Sequence, residues 1–163
     1  MKRNPLVLAA ALAAAATTAG VAPAAASAAC KTAALVVWVN TNGNAAAGST
    51  YVTLEFTNQS GQTCSLYGYP GVSALDLHGH ALGSPGGRNP STVKVVRLAD
   101  NATANAVLQI VVAANYPPAT CHRTAAAALR VYPPGQKASK VVPLPFEACA
   151  HPGPVILHVK AVT

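Results

Sequence analysis

The sequence predicts an all-β fold, a sandwich of antiparallel sheets, and three observations predict it. Apolar and polar residues alternate over several short runs. Turn-forming residues recur between those runs. Four cysteines stand too far apart to grip one metal ion. A period of two sets one face of a strand against a core and the other in water. Frequent Gly, Pro, Asn and Asp between such runs is the pattern of a double sheet.

The clearest strand covers residues 50–58, with Val52, Leu54 and Phe56 on one face and Thr53, Glu55 and Thr57 on the other. Residues 34–40 hold a more continuous apolar run, Val36, Val37 and Trp38, which reads as a strand near the centre of a sheet. Residues 72–77, 92–98, 104–113, 127–132, 139–144 and 155–162 bring the number to about eight. Breaks fall at Asn42-Gly43-Asn44, Gln59-Ser60-Gly61, Pro70-Gly71, Gly79, residues 84–87, Asp100-Asn101, Pro117-Pro118, Pro133-Pro134-Gly135 and Pro152-Gly153. At Pro70-Gly71, the proline suits the first central position of a type II turn and Gly71 the positive φ of the second. Alanine makes a short helix a competitor in residues 102–114 and 125–129. No internal repeat or long linker divides the chain.

The first 28 residues read as a leader rather than part of the fold. Met1-Lys2-Arg3 is basic, residues 5–16 are apolar, and Ala26-Ser27-Ala28 has the small-x-small pattern of a cleavage site, expected near Ala28 or Ala29. A membrane anchor is the weaker reading, because Gly20 and Pro23 interrupt the run short of the roughly 20 residues a span needs. Lipidation at Cys30 is weaker too: Ser27 replaces the large aliphatic residue such signals want, and an odd number of cysteines would remain. Without Lys2 and Arg3 the formal charge falls from +7 to +5. The remainder, about 135 residues (29–163), suits one β-sandwich domain. Its basic residues are scattered with no run of three, which argues against a nucleic-acid partner.

Cys30, Cys64, Cys121 and Cys149 are an even set in an exported chain, which reads as two disulfides. Structural zinc wants cysteines roughly two to four residues apart, and no pair here comes near that. Three connectivities are open. Elements adjacent in sequence tend to be adjacent in space, which favours Cys30–Cys64 and Cys121–Cys149.

Three stretches together resemble a known family. Phe56-Thr57-Asn58, the run from Thr63-Cys64 to Gly68-Tyr69-Pro70-Gly71-Val72, and Leu129-Arg130-Val131-Tyr132-Pro133-Pro134 occur in the order seen in the domain of unknown function 4232 family. The resemblance covers nearly the whole chain after the leader, from Cys30 to Val162. The family is found mainly in secreted and lipid-anchored actinobacterial proteins. The resemblance implies an extracytoplasmic β-sandwich and no activity. The family's motif cysteines fall on Cys30, Cys64, Cys121 and Cys149, which supports the disulfides. The expectation is therefore an immunoglobulin-like antiparallel β-sandwich of about eight strands with two disulfides.

Catalysis has little to work with. The acids are Glu55, Asp76, Asp100 and Glu147, and no nucleophile elbow, zincin helix, phosphate loop or dinucleotide fingerprint occurs. With every cysteine paired no thiol nucleophile remains, and no enzyme, cofactor or metal is expected. His78-Gly79-His80 places two imidazoles on one face of a strand, but a third ligand would have to come from His122, His151 or His158; solvated histidines at a hairpin tip are the plainer reading. The sequons at Asn58-Gln59-Ser60 and Asn101-Ala102-Thr103 read as accidental in a bacterial protein.

The function expected is a secreted, monomeric, non-catalytic module, structural or binding an unknown extracellular or cell-envelope ligand. Tyr67, Tyr69, His78, His80 and Arg88 are the first binding candidates, because aromatics on rigid loops make contact hot spots. The alternative is a secreted protease inhibitor presenting a proline-stiffened loop over residues 117–123, anchored by Cys121.

Overall fold

The computed structural model describes residues 27–163. The leader expected over residues 1–28 lies outside the described residues, apart from Ser27 and Ala28. The described chain forms eleven strands: β1 (Leu35–Ala46), β2 (Ser49–Asn58), β3 (Cys64–Tyr67), β4 (Gly71–Leu75), β5 (Ala81–Leu82), β6 (Gly87–Arg88), β7 (Val95–Leu98), β8 (Thr103–Val111), β9 (Arg123–Tyr132), β10 (Lys140–Cys149) and β11 (Leu157–Val159). One α-helical turn, α1 (Pro118–Cys121), precedes β9, and 3-10 turns lie at Thr32–Ala34 and Ala113–Asn115. The sequence reading of about eight strands missed β3, β5 and β6. Two-residue strands have no periodicity to read, and the four residues of β3 sit between turn signals.

One sheet has the order β1-β2-β8-β11-β6 and a second the order β10-β9-β4-β5, while β3 and β7 form a two-stranded ribbon. Every pairing is antiparallel except β11 with β6. The inner faces of the two larger sheets meet in one core. Leu54, Phe56, Leu108 and Leu157 come from the first sheet, and Val72, Leu129, Val131 and Val142 from the second. Full burial of each such aliphatic or aromatic side chain stabilises the fold by about 1.5–3 kcal/mol.

The alternation read in residues 50–58 is the alternation of β2, where Val52, Leu54 and Phe56 are buried. The alanine-rich segments are strands as well. Ala104, Ala106, Leu108 and Ile110 fall on the inner face of β8 with polar residues or Val107 between them, so the period is two. A short 3-10 turn at Ala113–Asn115 closes the first of these segments, and the α-helical turn forms beyond it at Pro118, where the missing N–H of proline costs nothing in a first turn.

Three local expectations are corrected. The apolar run at Val36-Val37-Trp38 belongs to β1, which is an edge strand, not a central one. Val36 and Trp38 point outward, 42% and 43% exposed. Asn42-Gly43-Asn44 is not a turn but a bulge inside β1, between the pairs Asn40↔Thr53 and Asn44↔Tyr51. Asn40 Oδ1 accepts from the Asn42 N–H at 3.0 Å, which supports the extra residues. A Cβ at Gly43 would lie 1.7 Å from the Tyr51 carbonyl oxygen, so only glycine fits the bulge. The turn itself comes later, at Ala47-Gly48, both with positive φ. Finally, the positive φ near Pro70 belongs to Gly68, at +100°, whereas Gly71 opens β4 in ordinary extended backbone.

Cys30 is joined to Cys64 and Cys121 to Cys149, the pairing that sequence adjacency favours, and no cysteine is free. The first crosslink ties the N-terminal segment to β3. The second ties α1 to the end of β10. All four cysteines are buried.

Candidate functional site

The outer face of the five-stranded sheet is built mainly by its long strands β1, β2 and β8. Burial of Val52, Leu54 and Phe56 turns Tyr51, Thr53, Glu55 and Thr57 outward, and burial of Ala104, Ala106 and Leu108 does the same for Asn105 and Val107. Register then sets Trp38 beside Glu55, and Glu55 beside Asn105. Asn40 Nδ2 donates to Glu55 Oε1 at 2.9 Å, which fixes both side chains. The bulge opens a shallow groove of about 420 Å³ lined by Asn42, Gly43, Asn44, Tyr51, Thr53 and Val107. β1, β2 and β8 contain no lysine or arginine, and Glu55 is their single charged residue, in a chain of formal charge +7. A half-exposed indole among amides, hydroxyls and one carboxylate is equipped to stack on an apolar ligand face and to bond its polar rim.

The five candidates read from the sequence do not share one surface. Tyr69 and Arg88 meet: the guanidinium carbon lies 5.3 Å from the ring centre, a cation–π contact. The Tyr69 hydroxyl donates to the Ser91 carbonyl at 3.1 Å and accepts from the Ser91 N–H at 3.1 Å. Hydrogen bonds from Ser91, side chain first and then backbone, hold the Tyr69 phenol below its usual range, with Arg88 adding to the effect and partial burial opposing it. Tyr67 stands on β3, 62% exposed. Arg88 is on β6, the edge of the first sheet opposite β1 and Trp38.

His78 and His80 lie in the turn of the β4–β5 hairpin, at the far end of β4 from Tyr69, roughly 15 Å along the strand. The turn closes through the Asp76 N–H donating to the His80 carbonyl at 3.0 Å. Asp76 Oδ1 accepts from the N–H groups of His78 and His80, at 2.8 Å each. The bond from the His80 N–H does most to hold the Asp76 carboxyl below the usual carboxylate range; the His78 N–H and the His80 ring act the same way, against a burial effect. The distant histidines do not join this group. His122 and His151 pack against each other with ring centres 5.4 Å apart, and His158 Nε2 lies 3.0 Å from the Val155 carbonyl.

The four carboxylates are dispersed, each with a local partner. Glu55 holds Asn40, Asp76 caps its own turn, Asp100 accepts from the Gly61 N–H at 2.8 Å, and Glu147 faces Arg123 at 3.6 Å. The segment read as an inhibitory loop contains α1. There the N–H groups of Thr120 and Cys121 bond the Pro117 carbonyl, and that of His122 bonds the Pro118 carbonyl.

Sequence reasoning missed Trp38 and Asn40 as surface residues because it put their strand near the centre of a sheet, and it did not single out Tyr51 on the outward parity of β2. A signal was present: Val36, Trp38 and Asn40 share one parity, and the last of them is polar.

A search of the curated proteins and of the solved structures finds no match for this chain. One family does match, over residues 30–163, which is the sandwich with both its crosslinks: the chain belongs to the family described as Domain of unknown function (DUF4232).

Proposed function

We propose that the protein is a secreted, non-catalytic recognition module that binds polysaccharide at the cell envelope or outside the cell, on the outer face of the five-stranded sheet. The observation that carries this reading is the register of Trp38, Glu55 and Asn105 across β1, β2 and β8, three strands without a lysine or arginine. A sugar ring presents an apolar C–H face and a rim of hydroxyls. The indole suits the first; the carboxylate and amides suit the second, with charge-assisted bonds to Glu55 the stronger ones. Export is supported by the two buried disulfides, which persist in oxidising surroundings. The non-catalytic part is supported by the dispersal of the four carboxylates.

The protease-inhibitor alternative finds no specific observation in its favour. A peptide bound by a protease is extended, whereas residues 117–122 are wound into a helical turn bonded to itself.

The reading is tested by retention on insoluble peptidoglycan, chitin and starch, with elution by the matching soluble oligosaccharide. Wild-type protein is expected to be retained on at least one of them. Trp38→Ala is expected to pass through while unfolding at the same denaturant concentration. Wild-type protein that none of the three retains contradicts the reading.

A further inference from the structure

We propose that Asp76, His78 and His80 form a site for a divalent transition metal, zinc or copper, at the tip of the β4–β5 hairpin. The donors are one carboxylate oxygen and two imidazole nitrogens, and these lie within 4.8 Å of one another. Asp76 Oδ2 is 3.1 Å from His80 Nδ1 and 3.9 Å from His78 Nδ1. Ligand atoms of a tetrahedral zinc, each about 2.0–2.1 Å from the ion, stand about 3.3 Å apart. The two separations from the carboxylate bracket that value and the imidazole pair lies within 4.8 Å, so ring rotations complete the geometry.

Those rotations cost little. The His78 and His80 side chains are 79% and 78% exposed, so turning them disturbs no packing. The rings already lie nearly parallel, 24° apart, with both Nδ1 atoms turned towards the same carboxylate. The carboxylate is held by its other oxygen, which takes the two backbone N–H bonds and leaves Oδ2 facing the rings. Gly79 has a φ of +82°, which lets the chain reverse between the two histidines, and Arg130 Nη2 clamps the turn by donating to the Gly79 carbonyl at 3.0 Å.

Imidazole and carboxylate together suit zinc and copper, with copper binding more tightly; magnesium and calcium want oxygen donors throughout. Three protein ligands leave coordination open for water or a partner's side chain. The Arg130 guanidinium opposes the ion's charge, so micromolar rather than tighter binding is expected.

The test uses the untagged exported chain, dialysed against chelator, with zinc chloride, copper chloride and magnesium chloride as probes in calorimetry. Zinc and copper are expected to bind one equivalent and magnesium none. Asp76→Asn and His80→Ala are each expected to weaken zinc binding by about tenfold or more, the loss of one ligand in three. His78→Ala is a second check should either variant fold poorly. In proton spectra, trace copper is expected to broaden the imidazole signals of His78 and His80 before those of His122, His151 and His158. Absence of saturable zinc or copper binding up to millimolar metal overturns the proposal. So does undiminished binding in folded Asp76→Asn and His80→Ala, or first broadening at His122 and His151.

Discussion

Asn58 donates through Nδ2 to the Leu98 carbonyl at 3.0 Å, from a side chain with no exposed surface. The same nitrogen reaches the Gln62 carbonyl at 2.7 Å and the Ala99 carbonyl at 3.1 Å, while Oδ1 accepts from the Ser60 N–H at 3.0 Å. One amide thus ties the end of β2, the turn after it and the end of β7. Such a group cannot be trimmed without leaving backbone groups unpaired in the interior.

Asn58→Ala is therefore expected to cost about 3 kcal/mol, since each buried polar group left without a partner costs about 1–3 kcal/mol. Urea unfolding followed by circular dichroism reads the change. A loss below about 0.5 kcal/mol, the range of ordinary surface substitutions, would mean that the network adds nothing to stability.

Each disulfide closes a long loop, with sequence separations of 34 for Cys30–Cys64 and 28 for Cys121–Cys149. Loops of that length restrict the unfolded chain enough to stabilise the fold by about 4 kcal/mol apiece. Double serine variants of either pair are expected to lose that amount in denaturant unfolding, and reduction of the wild type to lose more than either. Equal stability with and without reductant would contradict the role given to the crosslinks.

The Tyr69 phenol is expected to ionise below the ordinary tyrosine range. A folded-state pKa below the unfolded one favours folding once the phenolate forms. The contribution is complete above the unfolded value near 10 and disappears as pH falls through the folded one, so it is absent at neutral pH. Phenolate absorbance during alkaline titration reads this directly. Tyr69→Phe removes the phase below the ordinary range, Ser91→Ala moves it to higher pH, and Arg88→Ala moves it by less. Such a phase unchanged in Tyr69→Phe assigns it to another ring.

Much of the fold was legible because it rests on local patterns. Val52, Leu54 and Phe56 announced β2 by parity, and four widely spaced cysteines announced two crosslinks. Position within a sheet was not legible. The apolar run at Val36–Trp38 matches a buried central strand as well as an outward-facing edge, and only the pairing partner decides. Turn chemistry misled where a side chain intervened: Asn40 caps Asn42 and turns an Asn-Gly signal into a bulge. The candidate sites were half legible. His78 and His80 were visible as a pair, but their third donor was sought in distant histidines, while the Asp76 backbone bonds that bring it in from two residues away exist only in the folded turn. Trp38 drew notice as core and not as surface.

Trp38, at the heart of the proposed polysaccharide-binding face, is the single tryptophan of the chain. Its fluorescence therefore reports on that face alone. Titration with soluble oligosaccharides released from peptidoglycan, chitin and starch is predicted to shift or quench the emission saturably for whichever glycan retains the protein. Emission that stays constant while that glycan binds would place the binding surface away from Trp38 and rule out the proposed recognition face.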